Sequence, residues 1–328
     1  VQVNDELSDT AVARIAGCSR STFSQIKNQK YSGDPDKYLK SLAFWLDERE
    51  IRRQTPTTEY AETGIGRLIM TVCRRAADMP SIGLIVTPSG LGKTVALAEF
   101  TRRRGDDVIY IQAGEVVAAK RALLIELATA LGEPPPIKAT LSRIWTDVRR
   151  KLAGRYAGGR GRSTLIVIDE ATTLRPATLN MLRNLHDDPR CRPGLVLADT
   201  WRMDEELHSG RGLPGGYEQL RSRAGAQLRW SHKRAVPTAD VRAVAETVLK
   251  SLGRNRRLSD AAYKYLTKLA QREGKLRNVV HRLWACHDIG GDQADYSVAQ
   301  LDYVADMVGH SADSPAAEVP FERTRKTA

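Results

Sequence analysis

Residues 82–94, with the sequence IGLIVTPSGLGKT, decide the fold of this chain. An apolar run at 82–86 leads into a turn that contains Gly90 and Gly92, and a helix-forming stretch begins at Lys93. An uninterrupted apolar run of this length is typical of a strand that is covered on both faces. The stretch therefore predicts an α/β fold in which helices flank a parallel sheet.

The same turn comes close to the phosphate-binding pattern G-x-x-x-x-G-K-[ST], in which backbone N–H groups and the positive end of a helix dipole surround a phosphate. It predicts an ATP site in which Lys93 reaches the β- and γ-phosphates and Thr94 binds Mg²⁺. Thr87 replaces the first glycine, and we expect normal binding because an extended residue fits the exit of a strand. The predicted nucleotide-binding residues are Ser89, Gly90, Leu91, Gly92, Lys93, Thr94, Val95 and Asp169.

A second apolar run, TLIVI at 164–168, ends in the acidic pair Asp169 and Glu170. The carboxyl ends of parallel strands meet at one edge of the sheet, so this pair is expected beside the glycine-rich turn. Asp169 fits a ligand of Mg²⁺ together with Thr94, and Glu170 fits the base that polarises an attacking water. The pair therefore predicts an ATPase rather than a simple nucleotide-binding protein.

The rest of the core is predicted from alternating strand and helix patterns. Strands are expected at 108–112 and 195–198, and helices at 59–77, from the glycine-rich turn to 103, and at 116–131, 141–152 and 176–186. These elements place an α/β ATPase core at 56–236. Helices at 241–252, 260–272, 276–286 and 298–307 predict an all-helical unit over 237–310, and residues 311–328 are predicted to be a disordered tail.

Residues 1–55 have the pattern of a helix-turn-helix domain. A first helix begins at Ser8 or Asp9 and ends before Gly17, and Ser19 caps a second helix that extends to about Asn28. A third helix at 36–48 is expected to complete a small core with Leu39, Leu42, Trp45 and Leu46. The polar face of the second helix suits DNA, with contacts predicted from Arg20, Ser21, Thr22, Gln25 and Lys27. A plain three-helix bundle or a protein-contact domain remains the alternative.

Composition excludes several classes of protein. No stretch approaches the roughly 18 apolar residues of a membrane span, and the N-terminal VQVNDELSDT lacks a basic region followed by an apolar one, so an intracellular protein is expected. The four cysteines are far apart, without CxxC metal spacing, and are expected to be reduced. Lys and Arg outnumber Asp and Glu by 51 to 39, which gives a formal charge of +12 and favours polyanionic partners.

Three further motifs resemble the AAA+ branch of P-loop ATPases. GLVLADT ends in Asp199 and Thr200, where that branch carries a sensor of the γ-phosphate. LRSRA presents Arg221 and Arg223 before a strand, the position of an arginine finger that reaches into the site of a neighbouring subunit. GKLRNVVHRLW resembles the second sensor motif, in which Arg277 points at the phosphates. The order of these motifs predicts an AAA+ core with a C-terminal helical lid.

The whole arrangement resembles the Mu-type bacteriophage transposition protein B family over roughly residues 5–310. The matching stretches are SRSTFSQIKNQKYSGD, LIVIDEA, GLVLADTWR, LRSRA and GKLRNVVHRLW. By this resemblance Thr200 rather than Asp199 is the first sensor, and Arg223 rather than Arg221 is the finger. Because the family usually has Asn at the first-sensor position, the shorter Thr200 side chain implies slow hydrolysis.

The resemblance implies a function as well as a fold. An ATP-bound homo-oligomer would stack head to tail into a filament or ring on double-stranded DNA with little sequence preference, stimulate a DDE transposase, and disassemble on hydrolysis, in the cytoplasm of a bacterial host. Basic side chains expected to line the DNA channel, each of which also fits a solvated surface, are Lys120, Arg121, Arg143, Arg149, Arg150, Lys151, Arg160 and Arg162.

Three alternatives stay open from the sequence. The protein could instead be an AAA+ ATPase with another client: a helicase loader, a replication initiator, or a Tn7-like or Tn5053-like transposon ATPase. All of these share the AAA+ motifs. A nucleotide-switched transcription regulator would instead bind an operator as a two-fold dimer, whereas a finger acting in trans needs head-to-tail stacking. An inactive site on a DNA-binding scaffold is the third alternative, and it rests on Thr87 alone.

Overall fold

The computed structural model describes residues 9–40, 42–43, 60–157, 163–203, 205, 220–253, 258–291 and 294–305. The chain divides into two compact units, Val1–Glu59 and Tyr60–Ala328, and each is described by itself below.

The described part of the first unit contains two short helices, α1 (Asp9–Ala16) and α2 (Arg20–Lys27). Gly17 ends α1 with a φ of +76°, a left-handed conformation that glycine adopts without a steric cost. Ser19 caps α2, because its hydroxyl accepts a hydrogen bond of 3.0 Å from the N–H of Thr22. Both helices and the tight turn between them agree with the sequence prediction.

A small apolar cluster supports these helices, with further helical turns at 36–40 and 42–43. Its buried members are Val12, Ala16 and Leu42. Tyr38 packs against the cluster one helical turn before Leu42, so Leu39 is turned aside and is 47% exposed. The prediction of Leu39 as a core residue was therefore wrong, and Trp45 and Leu46 lie outside the described residues.

The second unit is built on a five-stranded parallel sheet. Its strands are β1 (Ile82–Val86), β2 (Val108–Gln112), β3 (Leu165–Asp169), β4 (Gly194–Asp199) and β5 (Ala224–Arg229), in the order β2-β3-β4-β1-β5. Every residue of β1, β3 and β4 is buried, as their apolar sequences predict, and the outermost strand β5 alternates between half-buried and exposed residues. The predicted α/β fold with a parallel sheet is confirmed.

Helices cover both faces of this sheet. They are α3 (Gly64–Asp78), α4 (Lys93–Arg104), α5 (Lys120–Ala130), α6 (Leu141–Ala157) and α7 (Pro176–Asp187), with short 3-10 turns at Gly105–Asp107 and Ala171–Thr173. The predicted helix at 116–131 begins four residues late, because Val117 closes a turn with Gly114 and Ala119 is extended. Val116 is consequently 87% exposed instead of lying on a helix.

The chain continues with four further helices in its described part. They are α8 (Thr238–Ser251), α9 (Asp260–Ala270), α10 (Leu276–Gly290) and α11 (Val298–Tyr303). They share one hydrophobic cluster with α3, α4 and one face of the sheet, to which Leu165 and Val167 belong. The alternate residues Ile166 and Ile168 face a second cluster with α5, α6 and α7. The sheet therefore lies between two apolar layers.

The described residues contain no helix that is both long and apolar enough to cross a membrane. All four cysteines are free thiols, and burial raises the pKa of Cys73 to about 12 and that of Cys286 to about 12. Both thiols therefore stay protonated at neutral pH and serve as packing residues. Within the same ranges, no group of three or more His, Cys, Asp or Glu side chains could hold a metal ion by itself.

Candidate nucleotide site and basic surfaces

The glycine-rich turn follows β1 at the carboxyl edge of the sheet. Gly90 and Gly92 have φ angles of +82° and +79°, which favour glycine, and α4 begins directly after them at Lys93. Thr87 is fully buried and is not among the residues with a positive φ, and its N–H donates to the carbonyl of Asp199 at 3.1 Å. The threonine at the first glycine position is thus accommodated as part of the strand.

Other residues predicted for nucleotide binding differ in how they present their side chains. Leu91 is 1% exposed and belongs to the same core cluster as Ala96 and Leu97 of α4, so its side chain is not available to a nucleotide. Val95 is 53% exposed, and Ser89 is exposed as well. A phosphate in this turn would be held mainly by backbone N–H groups and by the N-terminus of α4.

The basic and acidic motifs meet at this edge of the sheet. The hydroxyl of Thr94 donates to a carboxylate oxygen of Asp169 at 2.6 Å, and the Lys93 ammonium lies 3.8 Å from the other oxygen. Asp169 is completely buried at the end of β3. A hydroxyl and a carboxylate are hard oxygen donors of the kind Mg²⁺ prefers, and they sit beside a phosphate-type turn. The residues present therefore fit both Mg²⁺ and ATP.

Two side chains of β2 that were not predicted from the sequence also contact the acidic pair. The Tyr110 hydroxyl donates to Asp169 at 3.3 Å, and the Gln112 amide donates to Glu170 at 3.1 Å. Burial raises the pKa of Tyr110 above its usual value, and the charge of Asp169 raises it further, so the phenol stays protonated and able to donate. The signal in the sequence was the pair of polar residues in the otherwise apolar VIYIQ.

Glu170 stands apart from its buried neighbour. It is exposed and has a φ of +57°, so it occupies the left-handed region that residues with a Cβ rarely adopt. A carboxylate that is open to solvent at this edge can accept a proton from water. The 3-10 turn Ala171–Thr173 begins directly after it.

The end of β4 carries the two residues considered for the first sensor. The carboxylate of Asp199 accepts hydrogen bonds from the N–H and the hydroxyl of Thr172, at 2.7 and 2.6 Å, and from the N–H of Thr200 at 2.6 Å. Asp199 is 5% exposed, whereas Thr200 is only half-buried. The Asp199 side chain is therefore committed to the turn after β3, which leaves Thr200 as the residue available to a ligand.

The start of α10 contacts the glycine-rich turn. The N–H of Arg277 donates to the carbonyl of Gly90 at 3.2 Å. A Cβ at Gly90 would lie 2.0 Å from the carbonyl oxygen of Gly274, so the two backbones approach as closely as glycine allows. The predicted second-sensor residue, Arg277, is thus next to the turn, and its side chain is exposed.

Arg223 lies at the opposite end of the sheet. It directly precedes β5, whose first residue, Ala224, pairs with Ile82 at the start of β1, about 13 Å from the glycine-rich turn at the strand rise of about 3.3 Å per residue. Its guanidinium pairs with Asp187 at 2.7 Å, and Arg221 is exposed. A surface cavity of about 380 Å³ is lined by Pro80, Ser81, His186, Asp187, Pro189, Arg192 and Arg223.

The predicted DNA-contact residues of α2 are mostly open to solvent. Arg20, Ser21 and Gln25 are exposed, and Thr22 is half-buried because its hydroxyl contacts Ser19. Lys27 differs from the others, since its ammonium pairs with Asp9 of α1 at 3.1 Å. The structure thus assigns Lys27 to the packing of the two helices as well as to the surface.

The basic residues of α5 and α6 have intramolecular partners that the sequence did not reveal. Arg121 donates to two backbone carbonyls before α6, and Arg149 pairs with the buried Asp188. The remaining pairs are Arg143 with Asp147, Arg150 with Asp147 and Glu133, and Lys151 with Glu133. Much of the positive charge expected to line a DNA channel is therefore offset locally. Lys120 is exposed, and Arg160 and Arg162 lie outside the described residues.

Comparison with known proteins gives the family. A model of the AAA domain matches residues 77–204. The ATP-dependent target DNA activator B of Escherichia phage Mu is 30% identical over 283 residues, which are 85% of this chain and 83% of that protein. This chain belongs to the target DNA activator B family. Another member, the Mu-like prophage FluMu DNA transposition protein B of Haemophilus influenzae, is 24% identical over 289 residues, covering 87% of this chain and 93% of its own length.

A solved structure supports the architecture of the family's AAA core. The crystal structure of Cdc6p from Pyrobaculum aerophilum matches with a TM-score of 0.56 at 15% identity, over 77% of this chain and 70% of that chain. At this identity the likeness shows the fold alone. The resemblance inferred from LIVIDEA, GLVLADTWR and LRSRA is thereby confirmed at the level of family and of the α/β AAA core.

Proposed function

We propose that this protein is an ATPase of DNA transposition that assembles head to tail on double-stranded target DNA, presents that DNA to a DDE transposase, and disassembles on ATP hydrolysis. The observation that carries the proposal is the meeting of Lys93, Thr94 and Asp169 at one edge of the sheet. The family supports the activity, because the phage Mu relative is named an ATP-dependent target DNA activator.

Each residue of the site has its own role in the proposed hydrolysis. The glycine-rich turn and Lys93 would bind the phosphates, and Thr94 and Asp169 would hold Mg²⁺, whose charge would offset that of the phosphates. The exposed Glu170 carboxylate orients a water and takes its proton. Thr200 contacts that water or the γ-phosphate from the end of β4. Its short side chain favours slow turnover.

A complete site requires a second copy of the chain. Arg223 lies about 13 Å along the sheet from its own glycine-rich turn, at the strand rise of about 3.3 Å per residue, so it acts on the ATP of a neighbour. Joining one end of the sheet to the other end of the next copy is a heterologous contact, which produces rings or helical filaments. Bound ATP would then hold adjacent subunits together.

DNA binding is assigned to the N-terminal unit and to the net positive charge of the chain. The exposed Arg20, Ser21 and Gln25 of α2 form the surface of a helix-turn-helix domain over 1–55. The formal charge of +12 supplies an attraction to DNA phosphates that weakens as the salt concentration rises.

The AAA core of the proposed protein spans 56–236 and a helical lid spans 237–310, with Arg277 as the second sensor where α10 contacts Gly90. The setting is the cytoplasm of a bacterial host.

Mixing two inactive variants tests the proposal. Lys93→Ala removes the phosphate contact but keeps the finger, and Arg223→Ala keeps the phosphate contact but removes the finger. Each variant alone should hydrolyse ATP at least about tenfold more slowly than wild type, the loss expected when one transition-state contact is removed. An equimolar mixture on long linear DNA should regain activity, because Lys93→Ala subunits donate their fingers to Arg223→Ala sites.

The control is the mixture of Arg223→Ala with a Lys93→Ala/Arg223→Ala double variant, which keeps intact ATP sites but offers no finger and should stay inactive. If complementation is absent while both variants remain folded, the finger does not act in trans and the head-to-tail arrangement is wrong. Negative-stain images of wild type with DNA and ATP provide the second readout. Discrete dimers whose size is the same with and without ATP would instead favour the nucleotide-switched transcription regulator.

A further inference from the structure

Asp199, the last residue of β4, contacts three segments that border the nucleotide site. Its carbonyl accepts the N–H of Thr87 at 3.1 Å, which anchors the start of the glycine-rich turn. Its carboxylate accepts two hydrogen bonds from Thr172, in the turn that follows β3. The N–H of Thr200, the proposed first-sensor residue, donates to the same carboxylate. One residue thus touches the beginnings of three loops that come from different strands.

Both oxygens of the carboxylate accept hydrogen bonds from these loops. One oxygen accepts the N–H of Thr172 at 2.7 Å and its hydroxyl at 2.6 Å, and the other accepts the N–H of Thr200 at 2.6 Å. Asp199 is only 5% exposed, so these bonds form where water competes little. Hydrogen bonds to an ionised acceptor are about twice as strong as neutral ones. The geometry of the two loops is therefore fixed by a single charge.

This contact bears directly on Glu170. Glu170 has φ and ψ of +57° and +42°, a left-handed conformation that costs a residue with a Cβ about 1–2 kcal/mol. Thr172 is two residues further along the same turn, and the Asp199 carboxylate holds both its N–H and its hydroxyl. A strained conformation persists only where neighbouring contacts determine it. Asp199 supplies such contacts from the neighbouring strand β4.

We propose that Asp199 is the positioning residue of the catalytic edge, whose carboxylate acts through Thr172 to hold Glu170 and through the N–H of Thr200 to hold that residue. The inference rests on the proposed ATP hydrolysis, with Glu170 as the base. Asp199 itself does not contact substrate, because its carboxylate faces Thr172 and Thr200. Its loss should slow the chemical step while leaving phosphate binding by Lys93 and the glycine-rich turn in place.

The test uses graded changes at both ends of the contact in the full-length protein. Asp199→Asn keeps the shape but replaces one acceptor oxygen with an NH₂ group that cannot accept from its donors. Thr172→Val removes only the hydroxyl, and Thr172→Ser restores it. Thr146→Val is the matched control, since the Thr146 hydroxyl bonds to the carbonyl of Ser142 on the exposed surface of α6. Each variant is measured for kcat and KM, for affinity toward a fluorescent ADP analogue, and for thermal unfolding.

We expect Asp199→Asn to lower kcat at least about tenfold while ADP affinity changes less than about threefold, the pattern of an interaction needed only for the chemical step. Thr172→Val should lower kcat by a smaller factor, and Thr172→Ser should restore it. The double variant Asp199→Asn/Thr172→Val should be no slower than Asp199→Asn alone, because both changes break one contact.

Two results would overturn the inference. Multiplicative losses in the double variant would mean that Asp199 does not act through Thr172. Equal losses of kcat and ADP affinity together with early unfolding would mean a merely structural role. If Asp199→Asn does not fold, the comparison of Thr172→Val with Thr172→Ser decides, since a hydroxyl without a positioning role gives equal kcat values. Absence of ATPase activity in wild type would instead refute the proposed function, which separates the two failures.

Discussion

Gly90→Ala should show how firmly the start of α10 is held against the glycine-rich turn. The added Cβ would lie 2.0 Å from the carbonyl oxygen of Gly274, whereas ordinary contact begins at 3.4 Å, so the two segments would have to separate by about 1.4 Å. That shift breaks the hydrogen bond from the N–H of Arg277 to the carbonyl of Gly90, while the same N–H keeps its bond of 3.0 Å to the carbonyl of Gly274. The variant therefore combines backbone strain with the loss of a contact between distant parts of the chain.

The expected cost can be divided with a matched control. A Cβ at a φ of +82° costs about 1–2 kcal/mol, and the lost hydrogen bond adds about 1 kcal/mol. Gly132 has a φ of +83° and no atom within 4 Å of its would-be Cβ, so Gly132→Ala carries only the strain. Gly90→Ala should thus be less stable than Gly132→Ala by at least about 1 kcal/mol, or about 2–4 °C in Tm for a domain of this size.

Thermal and urea unfolding of both variants without nucleotide would measure this difference. Hydrogen exchange at the first turn of α10 is the second readout, and it should accelerate in Gly90→Ala but not in Gly132→Ala. Equal unfolding free energies and equal exchange would refute the reasoning, because they would mean that Gly90 and Gly274 are not in contact in solution.

Three further predictions concern stability and charge. Asp240→Ala should destabilise the protein by about 1–2 kcal/mol in urea, because the buried carboxylate accepts the first two N–H groups of α3. Hydrogen bonds from Arg102, together with Arg103, lower the pKa of the Glu99 carboxyl to about 2 from 4.5. The contribution of Glu99 to the free energy of unfolding is therefore full above pH 4.5 and is lost as the pH falls toward 2. Acid unfolding followed by circular dichroism should therefore be shallower in that window for Glu99→Gln, and an unchanged curve would contradict the pairing. Arg149→Ala should cost about 2 kcal/mol because it removes a partner of the buried Asp188, whereas the exposed Arg143→Ala should cost under about 0.5 kcal/mol. Equal urea midpoints for the Arg149→Ala and Arg143→Ala variants would show that the buried pair does not contribute to stability.

The parallel sheet and the position of the nucleotide motifs could be predicted because their cause is local. A continuous apolar run such as LIVI specifies a buried strand, and carboxyl ends of parallel strands necessarily meet at one edge. Thr94 and Asp169 could be brought together on that argument alone, although 75 residues separate them. Helix caps such as Ser19 were equally visible, since their chemistry is confined to a few neighbouring residues.

What the sequence could not predict depends on tertiary partners. Arg149 looked like a DNA contact until its carboxylate partner, 39 residues away, was seen beside it. Thr200 rather than Asp199 was assigned as the first sensor, but the sequence did not reveal that the Asp199 side chain bonds to Thr172, 27 residues back along the chain. Leu39 was predicted as a core residue because its side chain is apolar, but Tyr38 packs against the cluster instead. In each case a pattern of residue types identified a candidate, and only the packing of distant segments decided its role.

The position of Arg223 at the far end of the sheet also gives any stack two unequal ends. In the head-to-tail arrangement proposed above, every protomer offers a finger in one direction and an ATP site in the other. The protomer at one terminus therefore holds ATP that no finger reaches, and the protomer at the other terminus has a finger without a substrate. A stack of n protomers has n − 1 complete sites, so turnover per protomer rises with length. The terminus whose ATP is out of reach of a finger retains its nucleotide longest, which distinguishes that end from the other and gives the assembly a direction along the DNA.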